Sequence, residues 1–408
     1  MRPALVRALR HGCAWVACLC ALSCGGGGNS LTAPSNPVTP AANNVVSVAV
    51  NGGPAALNYP AINVLYTTVT VCVPGSTTQC QTVDNVLVDT GSYGLRLLAP
   101  ALTLSLPVAA AADGNALVEC TVFAVGYSWG PVAAVDVHIA GELASSVPVQ
   151  LIGDSRFPTV PSDCAGSGTE EDTVATFGAN GVLGIGTFVE DCPVCAANAI
   201  PAAYYSCTAA GCSNITVGLA SQVQNPVPLF SADNNGTIIV LPAVAAGGAA
   251  SVTGSLIFGI DTESNNQSGT QTVLTLQTSG VNIGDLTTIF NGQTLSASFI
   301  DSGSNANYFN DSNIGQCSGN FMPFYCPAST VDLSATLQGA DGVSIAESFS
   351  VANAQMIPQG NFVFPGFAGT TSTAGSFDWG LPFFYGRRVA TAIEGYTTSA
   401  GTGPYIAF

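Results

Sequence analysis

Two aspartates in this chain share one local setting. Asp89 closes the run Asn85-Val86-Leu87-Val88 and is followed by Thr90-Gly91-Ser92. Asp301 closes Ala297-Ser298-Phe299-Ile300 and is followed by Ser302-Gly303-Ser304. They lie 301 − 89 = 212 positions apart, one in each half of the chain beyond its N-terminal leader. Carboxyls so placed could work as a pair. Two carboxylates at about 3 Å cannot both ionise cheaply, so one keeps a proton and the pair titrates as a unit. The ionised member can then take a proton from water while the other donates to a substrate carbonyl oxygen. The roles exchange when the leaving amine is protonated. The small neighbours suit that task. Gly91 and Gly303 permit a sharp turn and a close backbone approach. The Thr90 and Ser302 hydroxyls can lock the two loops, and Ser92 and Ser304 can hold the outer carboxylate oxygens.

Such a pair needs two rigid loops that face each other, and the rest of the chain reads as strands able to build them. Val45–Val50, Val64–Val73, Val132–Gly141 and Gly254–Asp261 are apolar or alternating runs. Turns rich in glycine and proline separate them, with 46 Gly and 24 Pro in all. No stretch sustains a helical period. With 47% hydrophobic and only 8% charged residues, the chain is no disordered acidic tail. The echo of one motif in each half predicts an all-β, bilobal protein with pseudo-twofold symmetry. Its expected lobes are residues 46–253 and 254–408.

The arrangement resembles the pepsin-like aspartic peptidases, over roughly residues 46–408. "FAVGYSWGPVAAVDVHIAG" (123–141) is similar to the flap hairpin of that family, with Tyr127 at the flap tyrosine and Trp129 close by. "ANGVLGIG" (179–186) is similar to the segment crossing behind the first aspartate loop. "WGLPFFYGRRVATAIEG" (379–395) and the terminal "GPYIAF" are similar to the crossing segment and last strands of the second lobe. The resemblance implies an aspartic endopeptidase with Asp89 and Asp301 catalytic. It also implies an extended peptide in the cleft, a flap that excludes water, and no cofactor or metal. A tryptophan usual in that family seven residues after the first aspartate is Arg96 here. Its guanidinium is expected to stack on Tyr127 or Trp129, to favour the charged form of the pair and so to lower its pKa. The tether and cysteine spacings are also similar to an uncharacterised branch of bacterial lipoproteins. The alternative reading is an inactive envelope lipoprotein that uses the same cleft to bind a peptide or partner.

Other chemistries find little support. His138 is the only histidine beyond the leader, and no serine sits in a Gly-x-Ser-x-Gly elbow. The leader, residues 1–23, reads as a signal peptide with Arg2, Arg7 and Arg10 ahead of an apolar stretch too short to span a bilayer. "ALSC" resembles a lipobox and implies lipidation at Cys24, ahead of a flexible tether over 24–45. The protein is expected in the bacterial cell envelope on a lipid anchor at the outer membrane or surface, or else secreted. Beyond the leader the charge is 4 − 24 = −20, which repels nucleic acid and anionic lipid. Only the anchor is expected to meet a membrane, and the expected state is a monomer. Ten cysteines follow Cys24, an even number that reads as disulfides in an exported chain. Three pairs are close in sequence: Cys72 with Cys80, Cys207 with Cys212, and Cys317 with Cys326. The "CPVC" at Cys192 lacks the second Cys pair or histidines that zinc requires.

Overall fold

Short apolar runs between turns can satisfy their backbone hydrogen bonds only by pairing with neighbours. A computed structural model describes residues 43–408, and there the chain is all-β. The expected signal peptide, Cys24 and the tether up to residue 42 lie outside the described residues. The chain begins with β1 (Val45–Val50), β2 (Leu65–Cys72), β3 (Cys80–Asp89), β4 (Tyr93–Leu98), β5 (Ala116–Val122), β6 (Gly126–Ile139) and β7 (Glu142–Ile152). Next come β8 (Thr169–Glu170), β9 (Gly181–Ile185), β10 (Tyr204–Thr208), β11 (Gly211–Asn214), β12 (Gly236–Val240), β13 (Val252–Phe258) and β14 (Val273–Thr275). The remainder includes β15 (Leu286–Phe290), β16 (Gln293–Ile300), β17 (Asn307–Tyr308), β18 (Val331–Gln338), β19 (Ser344–Val351), β20 (Ala368–Gly369), β21 (Asp378–Trp379) and β22 (Arg388–Ala392). The two α-helices among the described residues have four residues each. No helix there is long and apolar enough to cross a membrane.

One sheet of sixteen strands runs through both halves of the sequence. At its middle β1 pairs with β13 from Val45–Ile257 to Val50–Val252. A second sheet of seven strands carries β15 to β21. Each sheet contains the same three-strand arrangement at its aspartate. In the first, β3 runs parallel to β9, with Leu87 opposite Val182 and Asp89 opposite Gly184. β4 returns antiparallel on β9, with Arg96 opposite Val182. In the second, β16 runs parallel to β21, with Phe299 opposite Asp378 and Ile300 opposite Trp379. β17 returns antiparallel, with Tyr308 opposite Asp378. The offsets match, 96 − 89 = 7 and 308 − 301 = 7. Each apolar strand therefore delivers an acid to the same point of the same motif.

Different side chains support the two loops. Behind the first lie Val86, Val88, Leu95, Leu97, Leu183 and Ile185, all buried. Behind the second lies an aromatic stack. Phe309 lies on Phe377 with centroids 4.7 Å apart, and Phe377 on Trp379 at 4.1 Å. Close-packed interiors transmit little slack, so both loops stand on stiff ground. All ten cysteines after Cys24 are paired. The three close pairs form, and Cys120–Cys164 and Cys192–Cys195 complete the set. Five disulfides are consistent with an exported protein.

Candidate active site

Asp89 ends β3 and Asp301 follows β16, and the two loops meet head-on. Thr90 N–H donates to Ser302 Oγ at 3.1 Å, and Ser302 N–H donates to Thr90 Oγ1 at 2.9 Å. Each hydroxyl then donates across to the partner strand, Ser302 to the Val88 carbonyl at 2.8 Å and Thr90 to the Ile300 carbonyl at 3.3 Å. The four bonds tie residues more than 200 positions apart into one unit. Thr90→Val would strip an acceptor from the buried Ser302 N–H, whereas Thr90→Ser would keep it. The valine variant is expected to lose about 1–3 kcal/mol of stability more than the serine variant in urea unfolding. Equal losses would show that the hydroxyl does not hold the loops.

The carboxyls sit inside this lock under matching restraints. Gly91 N–H donates to Asp89 Oδ1 at 2.8 Å and Gly303 N–H to Asp301 Oδ1 at 2.7 Å. Ser92 Oγ donates to Asp89 Oδ2 at 2.5 Å, and Ser304 Oγ lies 2.9 Å from Asp301 Oδ2. Both glycines are required by close approach. A Cβ on Gly91 would stand 2.6 Å from Asp301 Cγ, and one on Gly303 would stand 2.5 Å from Asp89 Oδ1. Each carboxyl thus fills the space that a side chain on the opposite loop would need. Burial, then the neighbouring Asp89, and then Asp378 hold Asp301 well above the usual carboxylate range. Asp301 and Gly303 are half-buried and Gly91 is exposed, so one side of the pair is open to solvent.

The structure gives the three other expected site residues partners of their own. Arg96 does not stack on Tyr127 or Trp129. It is 1% exposed and forms ion pairs with Glu119 at 2.6 Å and Asp191 at 2.9 Å. Its remaining donors reach Thr121 Oγ1 and the Tyr93 carbonyl. A buried guanidinium needs counter-charge and filled donors, and an aromatic face supplies neither in full. Tyr127 and Trp129 share one face of β6, but that face packs into an apolar cluster with Val118, Tyr205 and the Cys120–Cys164 disulfide. Trp129 Nε1–H donates to the Phe157 carbonyl at 2.9 Å. The β5–β6 hairpin does form, with Phe123 N–H bonded to the Gly126 carbonyl across its turn. Its tip is Phe123–Val125, and Val125 is 63% exposed.

One residue of the site was missed in the sequence. Asp378 is 2% exposed, and its Oδ2 lies 2.6 Å from Ser304 Oγ. An acid inside the apolar run "FDWGLPFF" repeats the signal that marked Asp89, one position before the segment 379–395.

Residues 40–408 match the family described as "Protein of unknown function (DUF3443)". No curated protein matches the chain.

Proposed function

The chain belongs to the DUF3443 family, and we propose that it is an aspartic endopeptidase with a pepsin-like bilobal fold. It cleaves peptide bonds with a water held between Asp89 and Asp301. The observation that carries this reading is the reciprocal Thr90–Ser302 lock with a carboxyl on each side of it. A lock of this kind removes the freedom that would let two like acids move apart, so they must share a proton. Burial and the neighbouring Asp89 favour the protonated form of Asp301. Asp89 takes a proton from the water, whose oxygen attacks the carbonyl carbon. Asp301 gives its proton to the carbonyl oxygen. When the tetrahedral intermediate collapses, Asp89 passes its proton to the leaving nitrogen and Asp301 recovers one from the oxygen. An extended peptide suits the opening because its backbone can pair with strand edges beside the acids.

The test is cleavage of a denatured protein pool from acid to neutral pH, read by mass spectrometry. Wild type should cut, and Asp89→Asn and Asp301→Asn should not. Absence of cleavage by wild type throughout that range would sink the peptidase reading and leave the inactive peptide-binding lipoprotein. The paired cysteines are consistent with export, and lipidation of Cys24 in a bacterial envelope belongs to the same proposal. Cys24→Ser is then expected to move the protein from the membrane fraction to the soluble one. An unchanged distribution would remove the anchor.

A further inference from the structure

The two loops match in every restraint but one. Opposite Leu87, two residues before Asp89, β9 places Val182, fully buried. Opposite Phe299, two residues before Asp301, β21 places Asp378. A carboxyl therefore stands where the first half has a methyl-bearing side chain. Asp378 Oδ2 touches Ser304 Oγ at 2.6 Å, and the same Oγ touches Asp301 Oδ2 at 2.9 Å. Asp378 Oδ1 is buried with no partner.

A hydroxyl carries one hydrogen, and here it lies between two carboxyl oxygens. One of the two acids must supply the second hydrogen. If Asp301 supplied it, the charge would fall on Asp378, with one oxygen bare and no cation beside it. None of the ion pairs among the described residues includes Asp378. If Asp378 supplies it, the charge stays with the Asp89–Asp301 pair, where Gly303 N–H and Ser304 Oγ already donate to Asp301. A buried charge left without donors is the costlier arrangement. Burial also holds Asp378 well above the usual carboxylate range, in agreement with the proton count.

We propose that Asp378 is a positioning residue, a neutral carboxylic acid that donates to Ser304 Oγ and thereby aims the Ser304 hydroxyl at the outer oxygen of Asp301. The shared proton of the pair is then confined to the inner oxygens, where a substrate carbonyl would meet it. This role rests on the peptidase reading for its function but not for its chemistry. Ionising Asp378 would draw the Ser304 hydrogen to itself and set a negative charge one hydroxyl away from Asp301. Both changes pull the proton of Asp301 to its outer oxygen, away from the substrate. The titratable groups that face Asp378 are Asp301 and Asp89 from the two loops and Tyr308 from β17. The Tyr308 hydroxyl bonds Asn305 Oδ1 at 2.6 Å. Asp378 thus makes the alkaline limit of the site depend on a third acid.

Infrared difference spectra of protein carrying isotope-labelled aspartate, wild type minus Asp378→Asn at neutral pH, test the proton directly. A protonated carboxyl band lost in the variant is expected, and a difference spectrum with carboxylate bands alone overturns the proposal. This arm needs no turnover, so it stands or falls separately from the peptidase reading. Following the same band in wild type through a pH titration covers the case of a variant that fails to fold. For turnover, Asn keeps a donor toward Ser304 and Leu does not, so kcat/KM should be about tenfold higher for Asp378→Asn than for Asp378→Leu. The alkaline limb of the Asp378→Asn profile should shift to higher pH than that of wild type. Equal variants, or an unmoved limb, would leave Asp378 a packing residue only.

Discussion

Asp301→Asn is expected to lower kcat by about 10³-fold or more with little change in KM. The amide keeps the shape of the carboxyl: its oxygen can still accept from Gly303 N–H, while its NH2 takes the place of the outer oxygen and can only donate to Ser304 Oγ. It can neither yield a proton to a carbonyl oxygen nor recover one. Asp89→Asn should lose as much, because the two acids act as a unit and the loss is not additive. A second signature reports the raised carboxyl itself. Burial and Asp89 raise Asp301 in the folded chain relative to the unfolded one. The folded state then binds that proton more tightly. The stability this contributes is whole below the unfolded aspartate value, about pH 4, and is lost as pH rises through the folded value. Asparagine does not titrate. Measured by thermal unfolding, Asp301→Asn should therefore gain on wild type as pH climbs from acid toward neutral. A stability difference that is flat across that range would mean that neither burial nor Asp89 raises Asp301 in the folded chain, and the pair would hold no shared proton.

What the chain disclosed by itself follows the reach of each interaction. The Asp-(Thr/Ser)-Gly-Ser loops were legible because all their chemistry lies within four residues of an apolar strand. The three short disulfides were legible for the same reason, with separations of 8, 5 and 9. The Cys120–Cys164 bridge spans 44 positions and gave no such sign. The acids that receive Arg96 lie 23 and 95 positions away, and Ser304 lies 74 from Asp378. Only the pairing of β4, β5, β9 and β21 brings these groups together. Tyr127 and Trp129 illustrate a different limit. A period of two fixes that residues i and i+2 share a face of a strand, but not what that face packs against. The apolar partners Val118, Tyr205 and Cys120 decided that, and they come from other strands.

Arg96→Leu is expected to destabilise the protein by about 3–5 kcal/mol at neutral pH, because it leaves a buried carboxylate without its counter-ion. Glu119 and Arg96 are each 1% exposed, and Glu119 Oε2 is buried without a partner even in the intact cluster. Asp191 is also bonded by the Tyr204 hydroxyl at 2.8 Å. Burial, with Glu119 beside it, holds Asp191 well above the usual carboxylate range. The contribution of Asp191 therefore falls as pH rises through that folded value. Without the arginine the buried acids lose their counter-charge and must bind protons to stay buried. Each pH unit above the unfolded carboxylate range then adds about 1.4 kcal/mol to the cost. The penalty should thus be small near pH 4 and grow steadily toward neutral, as read by urea unfolding at several pH values. Arg96→Lys should recover only part of it, because an ammonium cannot reach Thr121, the Tyr93 carbonyl and two carboxylates at once. A penalty of constant size from acid to neutral pH would assign the role of Arg96 to the packing of its stem between β4 and the hairpin, with its charge irrelevant.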